Sequence, residues 1–223
     1  MRLFSVLTLA ATSAPAFASF TESNAMTDAQ FAALLSSNQI QEVFVAEGRI
    51  GNNALSTAER ELGINNPAGA PLATGQFVWP NNFNVPQPDL VPFTLTYNAG
   101  SVTFDVDGTV LNAAFSGDIN QLYIRTRAQD VSFWSAADLL LDSQTVSGVS
   151  FANANGATDV DYLVLTLNNP ASSFTLSGNF SVGWDGVRPD RSELAVQIKA
   201  TIPAPATGAF AGLTALAGLR RRR

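Results

Sequence analysis

The sequence predicts an all-β protein. The expected form is a β-sandwich or jelly roll with one or two short helices on its N-terminal side, a signal peptide before it and a short C-terminal hydrophobic helix after it. Three observations carry this. Apolar and polar residues alternate over long stretches, the period of strands with one buried and one wet face. Gly, Asn and Pro cluster at breaks spaced about ten residues apart, as in two-layer folds of short strands. No internal repeat of about 20–50 residues is visible, which argues against a solenoid or propeller.

Taken in order, the first element is a helix. Thr27-Asp28-Ala29-Gln30 forms a capping box, in which Thr and Gln satisfy the orphan N–H groups of a first turn. Phe31, Leu34 and Leu35 supply its apolar face. Ser56-Thr57-Ala58-Glu59 reads as a second box, with Gly63 at the C′ position that closes the helix.

The period then changes to two. Phe93, Leu95 and Tyr97 alternate with Thr94 and Thr96, and Asn98-Ala99-Gly100 supplies a turn. Val102, Phe104 and Val106 continue the pattern up to Asp107-Gly108, a hairpin signal, and Thr109 to Phe115 returns. Val160 to Leu167 is apolar on both parities, as a central strand would be. Phe174, Leu176, Phe180, Val182 and Trp184 share one face, with Gly178 in the remaining place. Leu194, Val196, Ile198, Ala200 and Ile202 share another, opposite Glu193, Gln197 and Lys199. Breaks fall at Asn65-Asn66-Pro67, Pro80-Asn81-Asn82 and Asn168-Asn169-Pro170.

The two ends read differently from this body. Arg2, the apolar run Leu3 to Ala11, and Ala16-Phe17-Ala18 have the order of a secretory signal peptide cleaved after Ala18. At the other end, Ala206 to Leu219 is apolar or small except for Thr207 and Thr214. As a helix it would be about 21 Å long, short of the roughly 30 Å hydrocarbon core. Pro203 and Pro205 break any helix before it. Arg220, Arg221, Arg222 and Arg223 would act as a stop-transfer cluster on the cytoplasmic side, leaving the body outside.

Composition narrows the function classes. There is no cysteine, so in an exported protein burial alone holds the fold. There is no histidine, which removes the commonest general base and metal ligand, and with it Ser-His-Asp and Cys-His catalysis. Five of the 12 basic residues, Arg2 and Arg220 to Arg223, lie in the two ends. The body therefore sets seven basic residues against 18 acidic ones. Such a surface is a poor partner for nucleic acid or anionic polymers, and suits divalent cations or neutral sugars.

The succession Pro203-Ala204-Pro205, short apolar helix and terminal arginines resembles the PEP-CTERM sorting signal of bacterial surface proteins, with Ala204 where that motif has glutamate. The resemblance implies a Gram-negative cell. An exosortase-type membrane protease would remove or exchange the tail after transient anchoring in the inner membrane. Such systems commonly accompany exopolysaccharide. "GQFVWPNNFNVPQPDLVPFTLTYNAGSVTFDVDGTVL", "LYIRTRAQDVSF", "VFVAEGRIG", "DVDYLVLTL" and "SELAVQIK" are similar to the choice-of-anchor β-domains joined to such tails, nearest the W type. That likeness implies an all-β surface module and carries no catalytic motif. The expected organisation is residues 1–18 signal peptide, 19–40 polar leader with a short helix, 41–201 sandwich, and 202–223 sorting tail.

Several residue groups carry candidate chemistry. Asp105 and Asp107 beside a turn, and Asp185 and Asp190 in the loop after Trp184, are hard oxygen donors of the kind Ca²⁺ takes. The alternative is a solvated turn in which Asp serves the backbone. Trp184 offers a stacking face to a sugar, yet it also continues a buried parity. Trp79 and Trp134 are open between core and platform. Arg125 and Arg127 flank Thr126 on one strand face, suited to an anion or a carboxylated sugar if acidic partners do not engage them. Glu42, Glu47, Glu59 and Glu61 are the glutamates available for paired-carboxylate glycoside chemistry, which needs two acids about 5–10 Å apart in a cleft. Nothing in the sequence marks one as acid and another as base. The expected function is an exported structural or adhesive matrix protein without catalytic activity. The alternatives are a calcium-assisted carbohydrate-binding module and a cryptic glycan-active enzyme.

Overall fold

Period-two alternation becomes two antiparallel sheets packed face to face. A computed structural model describes residues 19–51, 61–98, 100–189 and 191–204. The first sheet runs in the order β1 (Phe20–Ser23), β12 (Asp159–Ala171), β8 (Ile119–Ala128), β14 (Leu194–Pro203), β2 (Ile40–Ile50), β3 (Leu62–Asn65) and β4 (Pro71–Gly75). The second runs β10 (Gln144–Thr145), β9 (Val131–Leu141), β13 (Ser173–Trp184), β5 (Val91–Asn98), β6 (Ser101–Val106) and β7 (Thr109–Ala114). A further strand, β11 (Ser150–Asn155), pairs with β9. The chain is thus an all-β sandwich, with one short helix among the described residues, α1 (Asp28–Ser36), on the outer face of the first sheet.

The inner faces supply one core. Phe44, Ile50, Leu62, Leu122, Ile124, Val196 and Ile198 of the first sheet meet Phe93, Leu95, Phe104, Trp134, Leu176 and Phe180 of the second. Phe93 and Phe180 stack with centroids 4.0 Å apart, and Trp134 meets Trp79 edge-on at 4.8 Å. Trp79, Trp134 and Trp184 are all buried, so none of them offers a stacking platform. Gly178 keeps its place on the core face because a Cβ there would lie 2.6 Å from Leu139 Cδ2 and 2.8 Å from the Ala137 carbonyl.

The helix forms as its cap predicts. Gln30 N–H donates to Thr27 Oγ1 at 3.3 Å, and Thr27 N–H donates to Gln30 Oε1 at 2.8 Å. Phe31 is buried against Tyr123 and Tyr162. This explains why Val160 to Leu167 is apolar on both parities. One face of β12 looks into the core and the other lies under α1. The strand is second from the edge, not central.

Three expectations change. Gly63 does not close a helix; it sits inside β3, opposite Glu47, while Leu62 and Ile64 point into the core. Residues 52–60, including most of the expected second helix, lie outside the described residues. Residues 19–40 do not stand apart from the sandwich. Phe20 to Ser23 pairs with Leu167 to Val164, and the Glu22 carboxylate accepts from Ser147 N–H, Ser147 Oγ–H and Gly148 N–H at 2.8–3.0 Å. The sequence read polar because an edge strand wets half its residues. Pro203 is the last residue of β14, opposite Ile40, so the sandwich runs into the first residues of the expected 202–223 tail. It lies beyond the last β8 partner, so its missing N–H breaks no ladder there.

The Asp107-Gly108 hairpin has the geometry its sequence demands. Both residues have positive φ, 47° and 84°, as the turn that matches strand twist requires. The free edge of β11 is closed by side chains: Phe151 N–H donates to Asp161 and Asn153 N–H to Asp159, at 2.8 and 2.7 Å. Capping edge N–H groups this way blocks pairing with another chain.

Candidate functional site

The outer face of the first sheet carries a polar network at the β3, β2, β14, β8 and β12 strands. Its residues are those that alternate away from the core: Glu47 and Arg49 on β2, Asn65 on β3, Gln197 on β14, and Arg125 and Arg127 on β8. Glu47, almost wholly buried, accepts from Asn65 Nδ2 at 2.6 Å, Gln197 Nε2 at 3.1 Å and Arg49 Nη2 at 2.9 Å. Arg188, from the loop after β13, donates to Glu61 Oε1 at 2.5 Å, and Glu61 is fully buried.

Arg125 and Arg127 face the same way and have different partners. Arg125 grips Asp28 with two bonds, Nε to Oδ1 at 2.6 Å and Nη2 to Oδ2 at 2.7 Å. The Tyr162 hydroxyl donates to the same Asp28 Oδ1 at 2.7 Å. Asp28 stands in the first turn of α1, so this pair also pins the helix to the sheet. Arg127 has only neutral acceptors: Nη1 donates to the Ser192 carbonyl at 3.3 Å and Nη2 to Gln129 Oε1 at 3.1 Å. Among the described residues no carboxylate pairs with it.

Between these arginines lies a groove of about 370 Å³. Arg49, Arg125 and Arg127 line it with Asp28 and Glu47, so three positive charges face two negative ones. Thr158, Ser192 and Gln197 add neutral polar groups. Arg49 Nε, Glu61 Oε2 and Asn65 Oδ1 are buried in this network without hydrogen-bond partners among the described residues. Unpaired buried polar atoms are uncommon enough to call for a water, an ion or a ligand. A second cavity, about 490 Å³, lies between Leu35, Ile40, Glu42, Pro67 and Ala204.

The local electrostatics follow from these contacts. The Arg125 bonds hold the Asp28 carboxyl below the usual range despite partial burial. Burial pushes Glu61 up, against the pull of Arg188. Burial likewise pushes the Tyr123 hydroxyl up to about 12 and raises Tyr162, whose bond to Asp28 adds to the effect. For Glu22, burial would raise the carboxyl, but the Ser147 and Gly148 bonds together lower it.

These directions set an expected acid response. Glu22 and Asp28 stabilise the fold fully above their ordinary values of 4.5 and 3.8. That contribution is lost as pH falls through their depressed folded values. Glu61 acts the other way, because a raised carboxyl gains stability below its ordinary value of 4.5. Thermal melts from pH 7 to 3 should show a net fall in Tm. Glu22→Gln should flatten part of it. A Tm that rises throughout that range would mean Glu61 dominates.

The other sequence candidates are dispersed. Asp105 Oδ1 accepts from Gly108 N–H at 2.9 Å and so serves the hairpin, while Asp107 is exposed at its tip. Asp185 is exposed, and its N–H donates to the Val131 carbonyl at 2.9 Å. Asp190 lies outside the described residues. Among the described residues no three carboxylates gather as a cation site would need. Trp184 is in the core. Glu42 pairs with Lys199 at 3.2 Å, and Glu59 lies outside the described residues. Ala16, Ala18, Pro205 and Arg220 to Arg223 are likewise outside them. Pro203 and Ala204 lie inside, and Ala204 N–H donates to the Gln39 carbonyl at 3.2 Å. Among the described residues no helix is long and apolar enough to cross a membrane.

The sequence could not single out Glu47, Arg49 or Gln197 as site residues. Their parity was legible, but their meeting depends on which strands pair. Compared with known proteins, the chain matches no protein-family model and no curated protein. The fold and the groove together define an all-β sandwich with a polar, arginine-lined outer face.

Proposed function

We propose that this is an exported, surface-sorted structural or adhesive protein, cut at both ends and acting by contact. One observation carries the reading. Among the described residues, strand pairing runs from Phe20, next to the cleavage point expected after Ala18, to Pro203, where the sorting-like motif begins. Removal of residues 1–18 and of the tail beyond Pro205 would leave every strand of the described residues in place.

A second support is the state of the carboxylates. Glu42, Glu47 and Glu61 are each engaged by a lysine, an arginine or an amide within the fold. Groups held in this way serve structure, which fits a scaffold in an extracellular polysaccharide matrix. The partners of this reading are the secretion machinery, the sorting protease, the inner membrane in passing, and exopolysaccharide.

The test is fractionation of producing cells with mass spectrometry of terminal peptides. The expected mature chain starts at Ser19, lacks Arg220 to Arg223, and is found in the envelope or medium. An intact 223-residue chain in the cytosol would overturn the proposal.

A further inference from the structure

We infer that the groove between Arg49, Arg125 and Arg127 binds a singly charged, hydroxylated carboxylate such as a hexuronate, with Arg127 as its anchor.

Charge makes the first selection. Three of the body's seven basic residues line this one groove, on a body that holds 18 acidic ones. Asp28 and Glu47 neutralise two of the three. Among the described residues lining the groove, the residual charge is one positive unit, and it resides on Arg127, whose guanidinium meets the Ser192 carbonyl and the Gln129 amide. Glu193 lies one bond further out, taking the Gln129 Nε2–H at 3.3 Å. A single carboxylate matches that balance. A dianionic phosphate would leave a surplus negative charge beside Asp28 and Glu47, and repulsion between close like charges is costly in a desolvated site. A polyanionic chain would meet the same penalty over the acidic surface around the groove.

Shape and lining make the second selection. The volume, about 370 Å³, is at the small end of ordinary ligand sites. No aromatic ring lines it, so a sugar face would not be held by stacking; recognition must come from hydrogen bonds. Thr158, Ser192 and Gln197 supply neutral donors and acceptors for hydroxyl groups, while a planar guanidinium pairs best with a carboxylate in a two-bond fork. Arg49 Nε is buried without an acceptor among the described residues, so among them the local network is not closed on itself. The inference rests on the groove alone. Only the placing of such a sugar in a matrix rests on the function proposed above.

The test titrates the purified protein, as the cell produces it, with D-glucuronate by calorimetry. Glucose, acetate and glucose 6-phosphate serve as comparators. Glucuronate should bind with Kd of about 1 mM or tighter, and glucose and acetate at least about tenfold more weakly. Arg127→Gln should weaken glucuronate about tenfold or more, the effect of losing a charge-assisted pair. Thr158→Glu changes an exposed residue and leaves every buried pair in place. It should weaken binding similarly without altering Tm, so the idea remains testable if Arg127→Gln does not fold. Absence of glucuronate heat at about 10 mM, equal binding of glucose, tighter binding of the phosphate, or unchanged binding by Thr158→Glu would each overturn the inference. Terminal processing is read independently by peptide masses, so either idea can fail without the other.

Discussion

Trp134→Ala should lower the unfolding free energy by about 3–5 kcal/mol, the range for removing a large buried aromatic. Trp134 is fully buried on β9, opposite Val182 of β13, and it meets Trp79 edge-on at 4.8 Å and Phe180 at 6.5 Å. Trp79 comes from the long segment between β4 and β5 and reaches across to the first sheet. A Cβ on Gly48 would lie only 2.6 Å from its ring. The two tryptophans therefore tie a loop to both layers, and loss of one leaves a void that neither sheet can close. Denaturant unfolding should show a lower midpoint with the slope unchanged. Trp134→Phe should cost far less. It keeps most of the volume and removes an indole N–H that has no acceptor in the core. Equal losses for the two variants would refute this account.

Gly183→Ala should be the other severe change, with a loss of roughly 3 kcal/mol, at the upper end of ordinary overpacking. Gly183 lies on the outer face of β13, beneath the segment that carries Asn81, Asn82 and Phe83. A Cβ there would stand 2.5 Å from Phe133 Cε1, 2.6 Å from the Phe83 N and 3.0 Å from the Asn82 carbonyl carbon. Two of those three atoms are backbone and cannot rotate away. The segment is also clamped: Asn82 N–H donates to the Val182 carbonyl at 2.9 Å, and Asn81 exchanges two bonds with the Trp184 backbone at 3.0 Å. Even one methyl group must therefore lift that clamp. Urea unfolding compared with the unmodified protein measures the effect. A change under about 0.5 kcal/mol, typical of an open surface site, would show that the segment yields freely.

Both predictions concern a stretch that the sequence presented as a break. Pro80-Asn81-Asn82 reads as loop, and it is one. What composition could not say is that the asparagine amides would imitate a strand partner for β13, or that Trp79 would fill the core. One signal was present: Gly48 takes a place on the apolar face of its strand, in line with Phe44, Ala46 and Ile50, and a glycine there marks close approach by another group. It said nothing of which group approaches. The same holds for Gly63, which looks like a helix terminus in its own neighbourhood. Only Glu47 across the sheet explains it, since a Cβ would come within 3.3 Å of that carboxylate.

The candidate site divides in the same way. Arg125 and Arg127 were legible as a pair on one strand face, because alternation alone puts residues two apart on one side. Their difference in function was not. Arg125 is neutralised by Asp28, which lies 97 residues away in the chain, and Arg127 has no such partner among the described residues. Asp105 and Asp107 looked equivalent as oxygen donors, yet one is held by its hairpin and the other points to solvent.

The sequence alone determined the strands with clear alternation, their buried faces, the capped helix and the Asp107-Gly108 hairpin. Each of these follows from forces acting within a few residues: side-chain period, backbone sterics and local hydrogen bonds. Tertiary structure decided which strands are neighbours, what lies over each sheet, and which charges cancel. Those outcomes depend on contacts between distant segments, as when β2, β14 and β8 come side by side and bring Arg49, Gln197 and Arg127 to one groove. Burial and pairing energies at such contacts belong to the assembled sandwich, and no local pattern encodes them.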